Sequence, residues 1–143
     1  MLCGTTIHPM DAKGRVSLPA KHRRALPEEL VVIKSPHSDF PSLRVYSEAE
    51  YDAWIIRMTE AKSMAADDAE LDLLISDLHA QVVEVKVDPA GRILIPAHLR
   101  QEAALTKSVA VRGAGDHVEL WDPQILESYK ATRATVNVFS SSR

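Results

Sequence analysis

Two arginines in this chain follow the same short turn sequence, and their side-chain chemistry suits the recognition of nucleic acid. Arg15 follows the letters D-A-K-G, and Arg92 follows D-P-A-G. A guanidinium group can donate two parallel hydrogen bonds to O6 and N7 of a guanine, or to phosphate oxygens, and the sequence leaves both targets open. Residues around the first arginine are further candidates for contacts to DNA. The basic ones suit contacts to phosphates and are Lys13, Lys21, Arg23 and Arg24, and the remaining candidate is Ser17.

Both arginines belong to an internal repeat that extends well beyond the turn. Residues 11–23 read D-A-K-G-R-V-S-L-P-A-K-H-R, and residues 88–100 read D-P-A-G-R-I-L-I-P-A-H-L-R. Residues 43–46 (L-R-V-Y) likewise correspond to residues 118–121 (V-E-L-W), and an aromatic residue follows each segment eight positions later. A pattern that recurs together with its flanks indicates two copies of one small module.

Each copy is predicted to begin with a tight turn that leads into a short alternating strand. Aspartate caps a type I turn and glycine adopts the left-handed conformation after it, so four residues are assigned a structural role in the turns: Asp11, Gly14, Asp88 and Gly91. Along the first strand, Val16 and Leu18 are predicted to face one side and Arg15 the other. The proline that follows ends each strand and opens a short helix.

Further strands and helices complete each copy. Strands are predicted around residues 30–34, 43–46, 108–112 and 118–121. Helices are predicted where apolar residues recur at helical spacing, first at Tyr51, Trp54, Ile55 and Met58 and then at Leu71, Leu74, Ile75 and Leu78. A last helix is predicted to begin at Asp122-Pro123, where an N-cap residue precedes a proline.

These elements predict a mainly β fold of the α+β type. The predicted organisation is a first module over residues 5–50, a helical connector over 51–80, a second module over 81–124, and a C-terminal helix and tail over 125–143. A module of roughly 40 residues buries too little surface to fold alone. We therefore expect the two copies to share one β-barrel as an intramolecular pseudo-dimer with flanking helices.

Charge and composition indicate unequal roles for the two copies. The formal net charge is −3, but residues 1–24 hold five basic residues against one acidic residue. The second copy carries Ala90, Leu94 and Gln101 where the first carries Lys13, Ser17 and Arg24. An exposed leucine beside Arg92 is unfavourable for a DNA contact and suits packing against another copy. We therefore predict that the first copy reads DNA and that the second mainly builds the pseudo-dimer and an oligomer, with Arg92 and Arg100 as secondary DNA contacts or structural residues.

Catalytic chemistry finds no support in the sequence. None of the six histidines stands in a metal-ligand spacing such as H-E-x-x-H, and the single cysteine, Cys3, has no C-x-x-C partner. We expect a protein that is not an enzyme and that needs no metal, cofactor or small-molecule ligand. One cysteine, no signal peptide and no apolar stretch of about 20 residues lead us to expect a cytoplasmic protein without membrane contact.

The doubled pattern D-x-x-G-R-x-x-x-P-A-x-x-R closely resembles the MraZ family, whose modules are of the SpoVT-AbrB type. Residues 11–24 and 88–100 carry the match, and residues 118–123 support it. The resemblance implies a swapped-hairpin barrel and a bacterial transcriptional regulator associated with the nucleoid. It also implies binding to short direct repeats upstream of the division and cell-wall operon, including the protein's own promoter, assembly into rings, and a DNA contact by Arg15.

An alternative is a protein-interaction module similar to antitoxins with an AbrB-type fold. Such antitoxins usually have one module followed by a disordered segment that wraps the toxin. In this chain a second module occupies that place, which favours the DNA-binding regulator.

Overall fold

The chain runs through the same order of short strands and helices twice. The computed structural model describes residues 1–36, 39–62 and 67–135. The first copy forms β1 (Thr5–Pro9), β2 (Arg15–Ser17), α1 (Ala20–Ala25), β3 (Glu29–Lys34) and β4 (Leu43–Ser47), followed by α2 (Glu48–Lys62) and α3 (Asp68–Ala80). The second forms β5 (Val83–Lys86), β6 (Arg92–Leu94), α4 (Ala97–Glu102), β7 (Ser108–Gly113), β8 (Val118–Trp121) and α5 (Pro123–Thr135). The tail expected after α5 lies outside the described residues.

The two copies exchange strands at most of the pairings, although β3 pairs with β4 and β7 with β8 within one copy. A six-stranded sheet has the order β1-β7-β8-β4-β3-β5, and a separate two-stranded ribbon consists of β2 and β6. The first strand of each copy pairs with the third strand of the other, because β1 lies beside β7 and β5 beside β3. The strands of the ribbon pair with each other, and β4 pairs with β8 at the centre of the sheet. This exchange confirms that the copies fold together as one pseudo-dimer.

The mainly β, α+β class is confirmed, but the expectation of one closed barrel is wrong. Among the described strands the large sheet ends at β1 and β5, and a single bridge between Met10 and Val16 joins the ribbon to the chain next to β1. The ribbon strands are only three residues long, since Pro19 and Pro96 stand close behind them and cannot donate to a ladder. Strands this short pair with each other and leave the ends of the large sheet open.

The main core lies between the ribbon and one face of the six-stranded sheet. Val16 and Ile93, which point inward from the centre of the ribbon strands, have no exposed surface. Side chains alternate between the two faces of a strand, so the same strands also build clusters on the opposite face. Helices α2 and α5 cover that face around Tyr46, Tyr51, Trp54 and Ile55 in one cluster and Ala110, Trp121 and Leu126 in the other.

The predicted helices are confirmed, with one difference in burial. Helix α2 begins after Ser47, whose Oγ accepts a hydrogen bond from the N–H of Glu50 at 3.1 Å. Helix α3 buries Leu71, but Leu74 remains 36% exposed. The reason is that α3 packs only at the edge of the cluster that α2 forms around Tyr46 and Trp54. None of the helices in the described part of the chain has the length and apolar character needed to cross a membrane.

Each predicted turn is confirmed, and each is held in place by the other copy. The N–H of Gly14 donates to the carbonyl of Asp11 at 3.0 Å, and the N–H of Gly91 donates to that of Asp88 at 2.9 Å. The glycine carbonyls then accept hydrogen bonds from the opposite copy. For Gly14 the donor is the N–H of Ile95 at 2.9 Å, and Gly91 has an equivalent donor at 3.0 Å. The two strand–turn–strand hairpins, from β1 to β2 and from β5 to β6, therefore cross with their turns held against one another.

This crossing predicts that Gly14→Ala destabilises the protein more than Gly115→Ala. Both glycines have nearly the same left-handed φ, +93° and +94°, which costs an alanine about 1–2 kcal/mol. A β-carbon at Gly14 would also lie 2.9 Å from the carbonyl oxygen of Ile95, whereas one at Gly115 meets nothing within 4 Å. Overpacking adds roughly 1–3 kcal/mol to the loss at Gly14. Urea unfolding of both variants measures the difference, and equal losses would contradict the packing argument.

Candidate nucleic-acid interface

The outer face of the ribbon carries the predicted DNA-contacting arginines of both copies. In the register of the ribbon, Arg15 lies opposite Leu94, and Ser17 lies opposite Arg92. These four side chains alternate with the buried centre of each strand and point away from the core. The side chains of the two arginines are 34% and 35% exposed. The fold thus brings Arg15 and Arg92, which are 77 positions apart in the chain, onto one surface.

Each arginine of the ribbon is oriented by the aspartate of its own turn. Nε of Arg15 donates to Oδ2 of Asp11 at 2.6 Å, and Oδ1 of Asp11 accepts the backbone N–H groups of Lys13 and Arg15 at 3.0 and 2.9 Å. In the second copy, Nε of Arg92 donates to Oδ2 of Asp88 at 3.1 Å. The turn pattern predicts only a structural role for these aspartates, although each stands four residues before its arginine in the sequence. They also fix the direction in which the guanidinium groups point.

Hydrogen bonding keeps both aspartates ionised. The backbone N–H of Arg15 contributes most, together with the hydrogen bond and charge of the Arg15 side chain, and these lower the pKa of Asp11 from 3.8 to about 2. The pKa of Asp88 is lowered in the same way, first by the backbone N–H of Arg92. Nη1 of Arg92 also lies 4.0 Å from Oδ2 of Asp11, so the two pairs are neighbours. The outer face therefore presents two fixed ion pairs rather than two mobile cations.

Arg23 and Arg100 hold the two hairpins together. Nε of Arg23 donates to the carbonyl of Leu18 at 3.1 Å, and Nε of Arg100 donates to the carbonyl of Ile95 at 3.0 Å. Each guanidinium group lies against the turn glycine of the other copy, since a β-carbon at that glycine would come within 2.8 Å of its Cζ. Both arginines therefore pack between the two copies. Their contacts with DNA remain a prediction.

The remaining candidates lie at the turn and on α1. Lys13 is exposed within the turn that precedes β2, close to the outer face of the ribbon. Arg24 is exposed on α1. Lys21 is also on α1, but its Nζ lies beside Gly4, 2.8 Å from where a β-carbon of that residue would be. Arg15 and Ser17 thus share the outer face of β2, with Lys13 exposed in the turn before it, and DNA contacts of Lys21 and Arg24 stay a prediction.

Fold and surface together define a class of protein: duplicated swapped-hairpin proteins that present a short two-stranded ribbon with turn-anchored arginines. A model of the family described as "MraZ protein, putative antitoxin-like" matches residues 1–74 and 78–142. A protein of Acetivibrio thermocellus named Transcriptional regulator MraZ is 36% identical over 129 residues, covering 90% of this chain and 86% of that protein. The protein of the same name in Mycobacterium avium is 39% identical over 132 residues, covering 92% of this chain and 88% of that protein. This chain belongs to the MraZ family.

The Asp11–Arg15 pair predicts a pH-dependent contribution to stability. The pKa of Asp11 in the folded protein lies below its ordinary value, so the contribution is complete above about pH 5 and is lost as the pH falls from about 4 towards about 2. The free energy of unfolding of wild type should therefore exceed that of Asp11→Asn at neutral pH, and the gap should narrow in acid. Urea unfolding of both proteins along a pH series measures this gap, and a gap that stays constant down to about pH 3 would contradict the assignment.

Proposed function

We propose that this protein is a sequence-specific DNA-binding transcriptional regulator whose ribbon enters the major groove. The observation that carries the proposal is the pair of arginines on the outer face of the ribbon, each oriented by an ionised aspartate. A two-stranded ribbon has the dimensions to fit the major groove, where each base pair presents a distinct pattern of donors and acceptors. The relatives named as transcriptional regulators support the same function.

The aspartates prepare the arginines for binding. Because Asp11 holds Nε of Arg15, the two Nη nitrogens at the end of the guanidinium group remain for an incoming ligand, and no hydrogen bond within the described part of the chain engages them. This end-on edge can donate two parallel hydrogen bonds to O6 and N7 of guanine. Holding the side chain in advance removes part of the roughly 2 kcal/mol of rotamer entropy that a mobile arginine loses on binding.

We propose further that the protein acts on short direct repeats upstream of the division and cell-wall operon, including its own promoter, and that it does so as a ring-shaped homo-oligomer at the nucleoid in the cytoplasm. The charge of the chain supports an oligomer. Its net charge is −3, so a single subunit gains little overall electrostatic attraction to DNA. Several ribbons on one assembly gain affinity through effective concentration when they bind successive repeats.

The first copy is proposed to contribute most of the affinity. Each arginine is held through Nε by the aspartate of its own turn, but Nη1 of Arg92 also lies 4.0 Å from Oδ2 of Asp11. The unequal roles are proposed to follow from this second pairing and from the neighbouring residues. Lys13 adds a cation beside Arg15, and the second copy has Ala90 at that position.

Arg15→Ala should weaken binding to the preferred duplex about tenfold to about hundredfold, because it removes a two-pronged base contact. Arg15→Lys retains the positive charge but cannot donate two parallel hydrogen bonds to one base. The preference for the upstream duplex over the scrambled duplex should therefore fall, while the dependence of affinity on salt concentration should change little. Fluorescence anisotropy with upstream and scrambled duplexes at several salt concentrations measures both. Arg133→Ala on α5 removes an equal charge and should change affinity less than about twofold.

Arg92→Ala provides the comparison between the two copies. Equal losses for Arg15→Ala and Arg92→Ala, with assembly intact, would contradict the leading role of the first copy. If wild type prefers no duplex at any salt concentration, sequence-specific DNA recognition is wrong. The alternative of an AbrB-type, antitoxin-like interaction module then takes its place, and co-purification of one stoichiometric protein partner would support it.

Binding by an oligomer predicts that affinity rises with the number of repeats in one duplex. Duplexes of equal length with one, two or three repeats should show successively lower dissociation constants, because later contacts form within the same complex. Mass photometry of the protein alone and with each duplex gives the size of the assembly. Equal affinity for one and three repeats would contradict the proposed mode of binding.

A further inference from the structure

A large apolar side chain lies in the middle of the arginine-bearing surface. Leu94 is 52% exposed on the outer face of the ribbon, while the neighbouring Ile93 points inward and is fully buried. At the equivalent place in the first copy, opposite Arg92, the chain has Ser17. Burial of a leucine side chain is favourable, and Leu94 gains only part of this stabilisation within the subunit because half of the residue is exposed. The position therefore suits an apolar contact with a ligand.

The register of the ribbon decides which ligand Leu94 can reach. Leu94 stands directly opposite Arg15, and side chains opposite each other on one face of an antiparallel pair have β-carbons about 4.5–5.5 Å apart. A second copy of this chain seated on Leu94 would also cover Arg15. A partner bound by Arg15 is therefore within reach of Leu94, and that partner is DNA if the proposed function holds.

Base edges in the major groove offer one apolar feature, the 5-methyl group of thymine. We propose that Leu94 is a specificity-determining residue that contacts the 5-methyl group of a thymine beside the base bound by Arg15. This inference rests on the proposed function of the ribbon. The spacing is suitable, since successive bases on one strand are about 3.4 Å apart along the helix axis.

The pairing of a leucine with one arginine and a serine with the other gives the ribbon a direction. A ribbon with identical halves would read a site equally well in either orientation. Ser17 offers a hydroxyl group, which suits polar base edges, whereas Leu94 offers only apolar surface. The half of the site that contains Arg15 and Leu94 is thereby distinguished from the half that contains Arg92 and Ser17.

Replacing thymine by deoxyuridine tests this contact because it removes only the methyl group. The duplex is the tightest binder recovered from a randomised pool, with one thymine replaced at a time and affinity measured by anisotropy. At one position or at two adjacent positions, wild type should bind about three- to tenfold more weakly to the uracil duplex, as expected for one buried methyl group. Leu94→Ser should bind the thymine and uracil duplexes equally well.

Ile7→Ser is the matched control, since Ile7 is also a large exposed apolar residue, 64% exposed, but lies on β1. It should retain the full preference for thymine over uracil. Size measurements on each variant show whether the assembly is intact. Leu94→Met should keep the preference, because it preserves an apolar side chain of similar volume.

The outcomes separate this inference from the proposed function. If wild type prefers its duplex but no thymine replacement weakens binding, the Leu94 contact is wrong and the regulator stands. If the uracil penalty persists in Leu94→Ser, another residue contacts the methyl group and the inference is again overturned. Smaller assemblies of Leu94→Ser with an unchanged uracil penalty would assign Leu94 to a contact between copies. Failure of wild type to prefer any duplex from the pool overturns both proposals.

Discussion

The crossing of the two hairpins is the interaction on which the rest of the molecule depends. A module of this length has too little interior to bury its own apolar face. By exchanging strands, each copy supplies the surface that the other lacks, and the centres of both ribbon strands lose all exposure. Backbone hydrogen bonds from Leu18 to the carbonyl of Gly91, and from Ile95 to that of Gly14, fix the crossing. Neither copy can reach this arrangement alone.

The same crossing creates the surface that is proposed to bind DNA. The ribbon exists only where the two copies meet, so the arginines acquire their common face through folding. The aspartates that close the turns also hold these arginines, so a change in the geometry of a turn also moves the arginine beside it. Arg23 and Arg100 extend this dependence, because each packs on the turn of the opposite copy. A change in any of these residues acts on stability and on the surface together.

Joining both copies in one chain allows equivalent positions to differ. A dimer of identical modules presents the same residue twice across its symmetry axis. Here the scaffold stays nearly symmetric, as the strand order shows, while Ser17 and Leu94 face the outside at equivalent places. The buried positions keep their apolar character in both copies because they share one core. Divergence is therefore tolerated on the outer face, where a side chain takes no part in the shared core.

Sequence alone determined the repeat, both turns, the helices, the strands β2–β4 and β6–β8, and the arginines as candidate contacts, but it did not place β1 or β5. These features depend on residues close together in the chain, such as Asp11 with Gly14 or Ser47 with Glu50. Tertiary structure decided that the sheet stays open, that Leu74 remains partly exposed and that Arg23 and Arg100 pack on opposite turns. It also decided that Leu94 stands opposite Arg15. Each of these depends on partners distant in the chain, whose register is set by the shared packing of both copies and not by any local pattern.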